Sequence, residues 1–212
     1  MRYQALVEQR KACLRCVNLG LTNPARERGL DSDHIGPWTR WHGELNAKLM
    51  VVGRDWGTVA LFRRQQGLDK HTPNSTNAKL AELLERQGVE IGQAGKPGPA
   101  SIFLTNSILC LKLDTGDHIS AWYENCRPFL RKQIELVRPR VVVALGQIPY
   151  ESTLRAFGLK TRKAFKVAVK DPEGIELLSG VSLFAVYHPS PQYRRQRSAE
   201  PEIDWKRLPP LA

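Results

Sequence analysis

A continuous apolar run at residues 140–146, RVVVALG, restricts the folds open to this chain more than any other feature. Every position between the arginine and the glycine is apolar, without the alternation of a strand that has one face in water. Such a strand is buried on both faces, which is typical of a parallel sheet covered by helices on each side. The run therefore predicts an α/β protein with a mostly parallel central sheet.

Three further short apolar runs fit the same sheet, and helical patterns separate them. The expected strands are residues 47–53, 101–106 and 181–187, and the expected helices are residues 76–87, 120–137 and a helix that begins after Gly146. This alternation is typical of a three-layer αβα domain. We also expect a hairpin between residues 166–169 and 176–178, and irregular structure before about Gly43.

Charge and hydropathy indicate the surroundings of the protein. Lys and Arg total 32 and Asp and Glu total 21, so the net charge is +11, which favours a polyanionic partner. No apolar run approaches the roughly 18 residues of a membrane span, and the first residues lack the apolar core of a signal peptide. We therefore expect one domain, residues 1–212, in a cytoplasmic monomer with no membrane partner.

The four cysteines form a pattern that suits a metal centre. Cys13 and Cys16 are a CxxC pair, and fifteen residues separate Cys110 from Cys126. Four thiolates can hold zinc or an iron–sulfur cluster, and the spacing does not choose between the two. Cys110 taken alone is also explained as a small buried apolar side chain.

Polar residues at three predicted strand ends indicate a single functional site. Residues 53–55, Asn106 and His188 each follow an apolar run, and ligands of open parallel sheets bind at the carboxyl ends of the strands. Each residue also has a structural explanation. Asp55 could cap a helix or pair with an arginine, Asn106 could form a turn, and His188 could have a purely structural role.

Together these motifs resemble the uracil-DNA glycosylase superfamily, and most closely its iron–sulfur branch, the family-four glycosylases. The segments that carry the resemblance are NSILC at 106–110, CRPFL at 126–130, QIELVRP at 133–139, VVALG at 142–146 and HPSP at 188–191. The first motif departs from the family-four pattern Gly-Glu-Ala-Pro-Gly. Residues 53–57 read GRDWG here, closer to the Gly-Gln-Asp-Pro-Tyr motif of the first glycosylase family. The resemblance covers residues 13–194 and implies the glycosylase fold in a divergent branch.

The resemblance implies a monofunctional DNA glycosylase, a hydrolase of base-excision repair that acts on uracil or a related deaminated base in DNA. Asp55 would assist the attack of water, and His188 would donate a hydrogen bond to the base as negative charge develops there. Asn106 would read uracil through its amide. The other expected substrate-binding residues are Gly53, Arg54, Trp56 and Phe62, of which either Trp56 or Phe62 would stack on the base.

The resemblance also implies DNA contacts and a metal cluster. The loop after the HPSP motif would enter the minor groove and hold phosphates, through Ser190, Gln192, Tyr193, Arg194 and Arg195, with Arg197, Arg63 and Arg64 as further phosphate contacts. The cysteines Cys13, Cys16, Cys110 and Cys126 would hold a 4Fe-4S cluster, with zinc as the alternative. The cluster would tie an N-terminal segment, residues 1–45, to the rest of the domain.

Two other functions stay open on the sequence alone. The altered first motif also fits a nucleic-acid-binding protein that kept the fold and lost most or all of its catalysis. The cysteines also fit a zinc-stapled domain with an unrelated small-molecule activity. Cleavage of lesion-containing DNA and the presence of iron would separate these alternatives.

Overall fold

The structure of the protein is a computed structural model that describes residues 2–65, 75–93, 95–114, 116, 119–160, 163–190 and 203–211. The helices are α1 (Tyr3–Lys11), α2 (Val59–Gln65), α3 (Thr76–Glu85), α4 (Ser120–Val137), α5 (Gln147–Ala156), α6 (Phe165–Ala168) and α7 (Ile203–Lys206). The strands are β1 (Leu21–Thr22), β2 (Leu49–Gly53), β3 (Gly92–Gln93), β4 (Lys96–Pro97), β5 (Ile102–Asn106), β6 (Leu111–Lys112), β7 (Val141–Leu145), β8 (Ile175–Leu178) and β9 (Val181–Val186).

Five strands form the central sheet, in the order β5-β2-β7-β9-β8. The first four are parallel to one another, and β8 is antiparallel to β9 at the edge. The chain runs from β2 to β5 on one side and then crosses to β7 on the other side of β2. The direction of winding therefore changes between β2 and β7, and ligands of such sheets bind beside this point.

Helices cover both faces of the sheet. In β2, Met50 and Val52 belong to one apolar core, and Leu49 and Val51 belong to the other, as the alternation of a strand requires. Side chains of α1, α4 and α5 complete the first core, and those of α3 and α7 complete the second. The predicted three-layer α/β fold with a mostly parallel sheet is confirmed. None of the described helices is long and apolar enough to cross a membrane.

The hairpin predicted between residues 166–169 and 176–178 is wrong. The first segment lies in and after α6, a four-residue helix, and β8 pairs with β9 instead. Leu178 lies opposite Val181, and Gly180 turns the chain between them with a φ of 79°. This positive φ suits the tight turn of a hairpin, whereas a four-residue apolar stretch does not distinguish a strand from a short helix.

The segment before Gly43, expected to be irregular, contains helix α1. Its composition is polar, and Leu6 and Val7 are its only fully buried apolar side chains, so the helical signal in the sequence is weak. Leu6 packs in the same core as α4. The Trp122 indole on α4 donates a hydrogen bond of 2.7 Å to the Leu19 carbonyl. The N-terminal segment thus shares its core with the sheet.

Candidate active site

A cavity of about 510 Å³ opens at the carboxyl ends of β2, β5, β7 and β9. The seven residues that the sequence assigns to catalysis and base binding all line it, namely Gly53, Arg54, Asp55, Trp56, Phe62, Asn106 and His188. Three strand ends therefore supply one site, although more than 130 residues of chain lie between Gly53 and His188, the first and the last of them. We call it the active-site cavity.

The backbone of β2 leaves room for the Asn106 side chain. Gly53 lies opposite Asn106 in the sheet, and a Cβ atom on Gly53 would collide with Asn106 Oδ1. The backbone N–H and the hydroxyl of Ser107 both donate to the Gly53 carbonyl, at 2.9 and 3.2 Å. Asn106 is only 7% exposed, and no residue in the described part of the chain hydrogen-bonds to its amide. Its donor and acceptor therefore stay available to a ligand.

The Asp55 carboxylate is buried and held by three neighbours. Oδ2 accepts a hydrogen bond from Arg54 Nε at 2.9 Å, and Oδ1 accepts one from the Gly57 backbone N–H at 2.8 Å. Lys112 Nζ lies 3.6 Å from Oδ1. Burial alone would raise the pKa of Asp55, but the charges of Lys112 and Arg54 and the Gly57 N–H outweigh it and hold the pKa below its usual value. Asp55 is therefore an oriented anion at neutral pH.

His188 is a neutral hydrogen-bond donor. Its Nδ1 accepts a hydrogen bond from the Ser190 backbone N–H at 3.2 Å. Burial, helped by the charge of Arg54 and opposed by that of Asp55, lowers the pKa of His188 to about 4. Because a neutral ring carries one proton and Nδ1 accepts, the proton is on Nε2. The Nε2–H group can donate to an oxygen that becomes negative during a reaction.

The two aromatic candidates differ in their surroundings. The Trp56 ring is 9% exposed and packs so closely on Gly36 that a Cβ atom there would collide with it. Its indole N–H is buried and has no hydrogen-bond partner among the described residues. Phe62 is half-buried on α2 and lines the cavity. Phe62 therefore exposes its ring more than Trp56 does.

Lys112 is a site residue that the sequence analysis missed. Its side chain is 12% exposed, and its backbone N–H donates to the Gly57 carbonyl at 3.0 Å, beside the Asp55 loop. One signal was present in the sequence. Lys112 is the only charged residue in the mostly apolar stretch 107–113, SILCLKL.

Asp204 is a second missed residue, and it positions His188 through the backbone. It is fully buried on α7, and its Oδ2 accepts a hydrogen bond of 2.7 Å from the backbone N–H of Tyr187, the residue before His188. A four-residue helix has too little periodicity to be found in a sequence, so no local signal pointed to this contact.

The residues predicted to contact DNA lie mostly outside the described part of the chain. Ser190 is described, and its backbone supports His188. Arg63 and Arg64 are exposed near the end of α2. The residues Gln192, Tyr193, Arg194, Arg195 and Arg197 lie outside the described residues, so their assignment stays a prediction.

The four cysteines lie together beside α4, and we call them the thiol cluster: Cys13, Cys16, Cys110 and Cys126. All four are free thiols, and all except Cys13 are buried. Burial raises the pKa of Cys16, of Cys110 and of Cys126, the last to about 12, and their charges repel one another. The Asn125 amide donates to Cys16 Sγ at 3.4 Å. Among the described residues, no three His, Cys, Asp or Glu side chains are arranged to hold a metal ion.

Comparisons with known proteins agree with this geometry. The chain matches the family model of the uracil DNA glycosylase superfamily over residues 41–211. It is 29% identical over 202 residues to a type-5 uracil-DNA glycosylase of Pyrobaculum aerophilum, across 89% of this chain and 83% of that protein.

Two type-4 uracil-DNA glycosylases are also similar. The protein from Pyrobaculum aerophilum is 26% identical over 153 residues, or 72% of this chain and 71% of that protein. The protein from Archaeoglobus fulgidus is 30% identical over 108 residues, or 50% of this chain and 54% of that protein. The resemblance read from the motifs is thereby confirmed, and the chain belongs to the uracil DNA glycosylase superfamily.

Proposed function

We propose that the protein is a uracil-DNA glycosylase, which hydrolyses the N-glycosidic bond between uracil and deoxyribose in DNA. One observation carries the proposal: Asp55, Asn106 and His188 come from three strand ends to one cavity, in which the Asn106 amide is available to a ligand. The relatives are named as glycosylases that act on uracil in DNA. A cavity of about 510 Å³ has room for a pyrimidine taken out of the helix stack.

Asn106 supplies the recognition of the base. Uracil presents a carbonyl oxygen that accepts and a ring N–H that donates, and the amide of Asn106 matches both. The tight contact with Gly53 holds Oδ1 in place, so the amide is oriented before the base arrives. Cytosine presents the opposite pattern and would leave buried polar groups unpaired, at a cost of about 1–3 kcal/mol for each group.

His188 stabilises the leaving base. When the N-glycosidic bond breaks, both of its electrons stay with the base, and negative charge collects on a uracil oxygen. The Nε2–H of the neutral ring donates to this oxygen, and the hydrogen bond strengthens as the charge grows. The Ser190 N–H holds the ring from its other side, at Nδ1.

Asp55 stabilises the sugar. The carbon that loses the base becomes positively charged, and the oxygen of a water molecule forms the new bond to it while one water proton is released. The buried anion of Asp55 favours the positive sugar and accepts a hydrogen bond from the water. Because its pKa is held low, Asp55 contributes charge and orientation more than permanent uptake of the proton.

Other residues complete the substrate site. Phe62 is the better candidate for stacking on the flipped base, since Trp56 is packed against Gly36. Arg54 is 41% exposed beside Asp55 and can contact a phosphate. Ser190 and residues 192–195 follow His188 and would grip the DNA backbone, as the family resemblance implies.

We further infer that the thiol cluster holds a 4Fe-4S cluster. The four thiols form one group, of which all except Cys13 are buried, and bound iron would relieve the cost of ionising them. Zinc is the alternative occupant, since four thiolates also suit that ion. The bound cluster would supply structural support.

The decisive experiment is a single-turnover assay of base release. Purified protein is incubated with oligonucleotides that each contain one uracil, hypoxanthine, thymine or cytosine, and alkali then cleaves the strand at abasic sites. We expect release of uracil and none of thymine or cytosine. Asn106→Ala is the matched control, because it deletes only the reading amide and must lose the release if the activity belongs to this cavity.

The same assay separates the alternatives. Tight binding of uracil-containing DNA without release by the unaltered protein would contradict the proposal and favour the nucleic-acid-binding protein. A colourless protein with one bound zinc would contradict the iron–sulfur assignment and leave the glycosylase proposal intact. Broad visible absorption that bleaches on oxidation would support the cluster.

A further inference from the structure

We propose that a second cavity binds a phosphate group of the DNA strand whose base occupies the active-site cavity. The inference rests on the proposed function. The second cavity measures about 440 Å³ and lies between α1, α2 and residues 24–40. Phe62 and Pro37 line both cavities, so the two lie side by side. We call it the arginine cavity.

The lining of the arginine cavity is strongly basic. Among the described residues of its wall, Asp31 is the only acid. Four arginines line the cavity: Arg10, Arg28, Arg40 and Arg63. Arg28 and Arg40 are exposed, and neither lies within 4 Å of a carboxylate in the part of the chain that the structure describes. Arg40 also lies over the Trp41 ring, 5.1 Å from its centroid. Since a ring contact does not cancel the charge, neither positive charge is neutralised by a described carboxylate.

The one acid cannot neutralise this surplus. Asp31 accepts a hydrogen bond of 2.7 Å from Arg10, and Lys11 Nζ lies 3.3 Å from its other oxygen. The carboxylate is thus already shared by two cations on α1. Arg10 is 3% exposed, and its Nε–H has no hydrogen-bond partner among the described residues.

The walls of the arginine cavity are held in place. Arg10 donates to the carbonyls of Ser32 and His34, at 2.9 and 2.7 Å, and so ties the 31–34 loop to α1. Arg63 donates to the Arg28 carbonyl at 3.1 Å and to Glu27 Oε2 at 3.0 Å, which ties the 27–28 turn to α2. The backbone that carries Arg28 is therefore positioned before any ligand binds.

The chemistry of the ligand follows from arginine and from location. A guanidinium group presents planar N–H donors that match the oxygens of a phosphate. A DNA strand carries a phosphate on each side of a flipped nucleotide, so one of them can lie beside the active-site cavity. A phosphate bound in the arginine cavity would fix which nucleotide of the strand faces Asn106.

The test compares two double variants of equal charge. Arg28→Gln with Arg40→Gln removes the free cations of the arginine cavity. Lys48→Gln with Arg140→Gln removes two exposed cations at the amino ends of β2 and β7, the opposite edge of the sheet from both cavities. Binding to a duplex with a stable abasic-site analogue is measured over a range of salt concentrations, and thermal melting confirms that both variants fold.

We expect the slope of log K against log salt to flatten by about 0.9 in the Arg28/Arg40 variant, the change for one phosphate that the protein no longer neutralises. The control variant should keep the slope of the unaltered protein. Neutral methylphosphonate linkages placed one at a time around the abasic site should then reveal one position that weakens binding to the unaltered protein but not to the Arg28/Arg40 variant.

Equal slopes in the two double variants would overturn the inference. It would also be overturned if no methylphosphonate position weakened binding to the unaltered protein while leaving binding to the Arg28/Arg40 variant unchanged. Inorganic phosphate is added as a competitor of the duplex. If it competes for the unaltered protein but not for the Arg28/Arg40 variant, and no methylphosphonate position has an effect, the cavity binds free phosphate and the inference is overturned. Uracil release by the unaltered protein is measured separately. Release with equal slopes contradicts only the arginine cavity, whereas absent release contradicts the proposed function.

Discussion

The active-site cavity and the thiol cluster are both buried groups of ionisable side chains, and they respond to burial in opposite ways. In the cavity, Lys112 and Arg54 lie close to Asp55 and keep its pKa below the usual value despite burial. In the thiol cluster, burial raises the pKa of Cys110 and of Cys126, and the charges of the other cysteines raise it further.

The difference shows which of the two groups has enough positive charge from the protein itself to keep its acids ionised. At Asp55 the fold provides the cations, so an anion is ready before substrate binds. At the thiol cluster the fold provides none that outweighs burial, so ionised thiolates require a cation from outside the chain. The first group therefore fits the catalytic role that we propose for Asp55, and the second fits the structural metal cluster that we propose for the thiols.

The largest expected effect comes from removing one thiol of the thiol cluster. Cys13→Ser should lower the melting temperature by roughly 10 °C, because loss of a structural metal centre costs several kcal/mol and about 1 kcal/mol corresponds to 2–4 °C in a domain of this size. Visible absorption and calorimetry measure this together. An unchanged melting temperature in a protein that has lost its colour would contradict a structural role.

Asp55→Asn should lower the rate of uracil release and leave the fold stable, the opposite of the effect expected for Cys13→Ser. We expect the single-turnover rate of uracil release to fall by about 10²-fold or more, since a positioned charge is removed. Asn keeps an oxygen that can accept from the Gly57 N–H, so the loop and the binding of DNA should be retained. Full activity would mean that Asp55 is only the ion-pair partner of Arg54 and Lys112.

Asn106→Asp tests whether the amide reads the base. Aspartate accepts from the cytosine amine and, when protonated, donates to the cytosine ring nitrogen. We expect loss of uracil release and a weak gain of cytosine release from unpaired positions, strongest at acid pH. Release of both bases is measured across a pH series. A variant that releases uracil like the parent protein would show that Asn106 is not the reading residue.

His188 lies in the active-site cavity, yet burial favours its neutral form, as it does for the thiols. Its pKa is about 4 in the folded protein against 6.5 for a free side chain. As the pH falls, the unfolded chain therefore takes up a proton on His188 before the folded protein does. The free energy of unfolding falls as a result between about pH 6.5 and about pH 4. This contribution amounts to at most about 3 kcal/mol.

His188→Gln should reduce this pH dependence. Urea unfolding at pH 7 and at pH 4.5 is compared in the two proteins, and the other titrating groups are the same in both. The unaltered protein should lose more stability over this range than the variant. Equal losses would mean that the His188 ring stays as easily protonated in the folded state as in water.

The comparison of the two groups also shows what a sequence can reveal. The residues at the strand ends were predictable, because the ends of buried parallel strands converge. Gly53 and Asn106 end such strands, and His188 follows one. The cysteines were predictable from their spacing. In both cases a local pattern in the chain corresponds directly to a position in the fold.

The electrostatic partners were harder to predict. Lys112 reaches Asp55 because β6 lies beside the GRDWG loop, and Asp204 reaches the backbone next to His188 from a four-residue helix. These contacts depend on how separate segments pack and leave no periodic signal. Helix α1 was missed for a related reason, since its stability comes from tertiary contacts more than from an apolar face.

The smallest expected effect tests how the cavity keeps Asp55 ionised. Lys112→Gln removes the cation 3.6 Å from Oδ1 but leaves the Arg54 and Gly57 hydrogen bonds in place. The pKa of Asp55 should rise, so the acid limb of the pH–rate profile should move toward neutral pH, with a loss of less than about tenfold at pH 7.5. Lys79→Gln is the matched control, because Lys79 is similarly buried at 14% side-chain exposure and pairs with Glu82 instead. If both variants keep the parent profile, Lys112 is not needed to hold the charge of Asp55. A shift in the Lys112 variant alone would show that a lysine supplies the charge that outweighs burial at Asp55, whereas Arg10 and Arg15 do not outweigh it at the thiols.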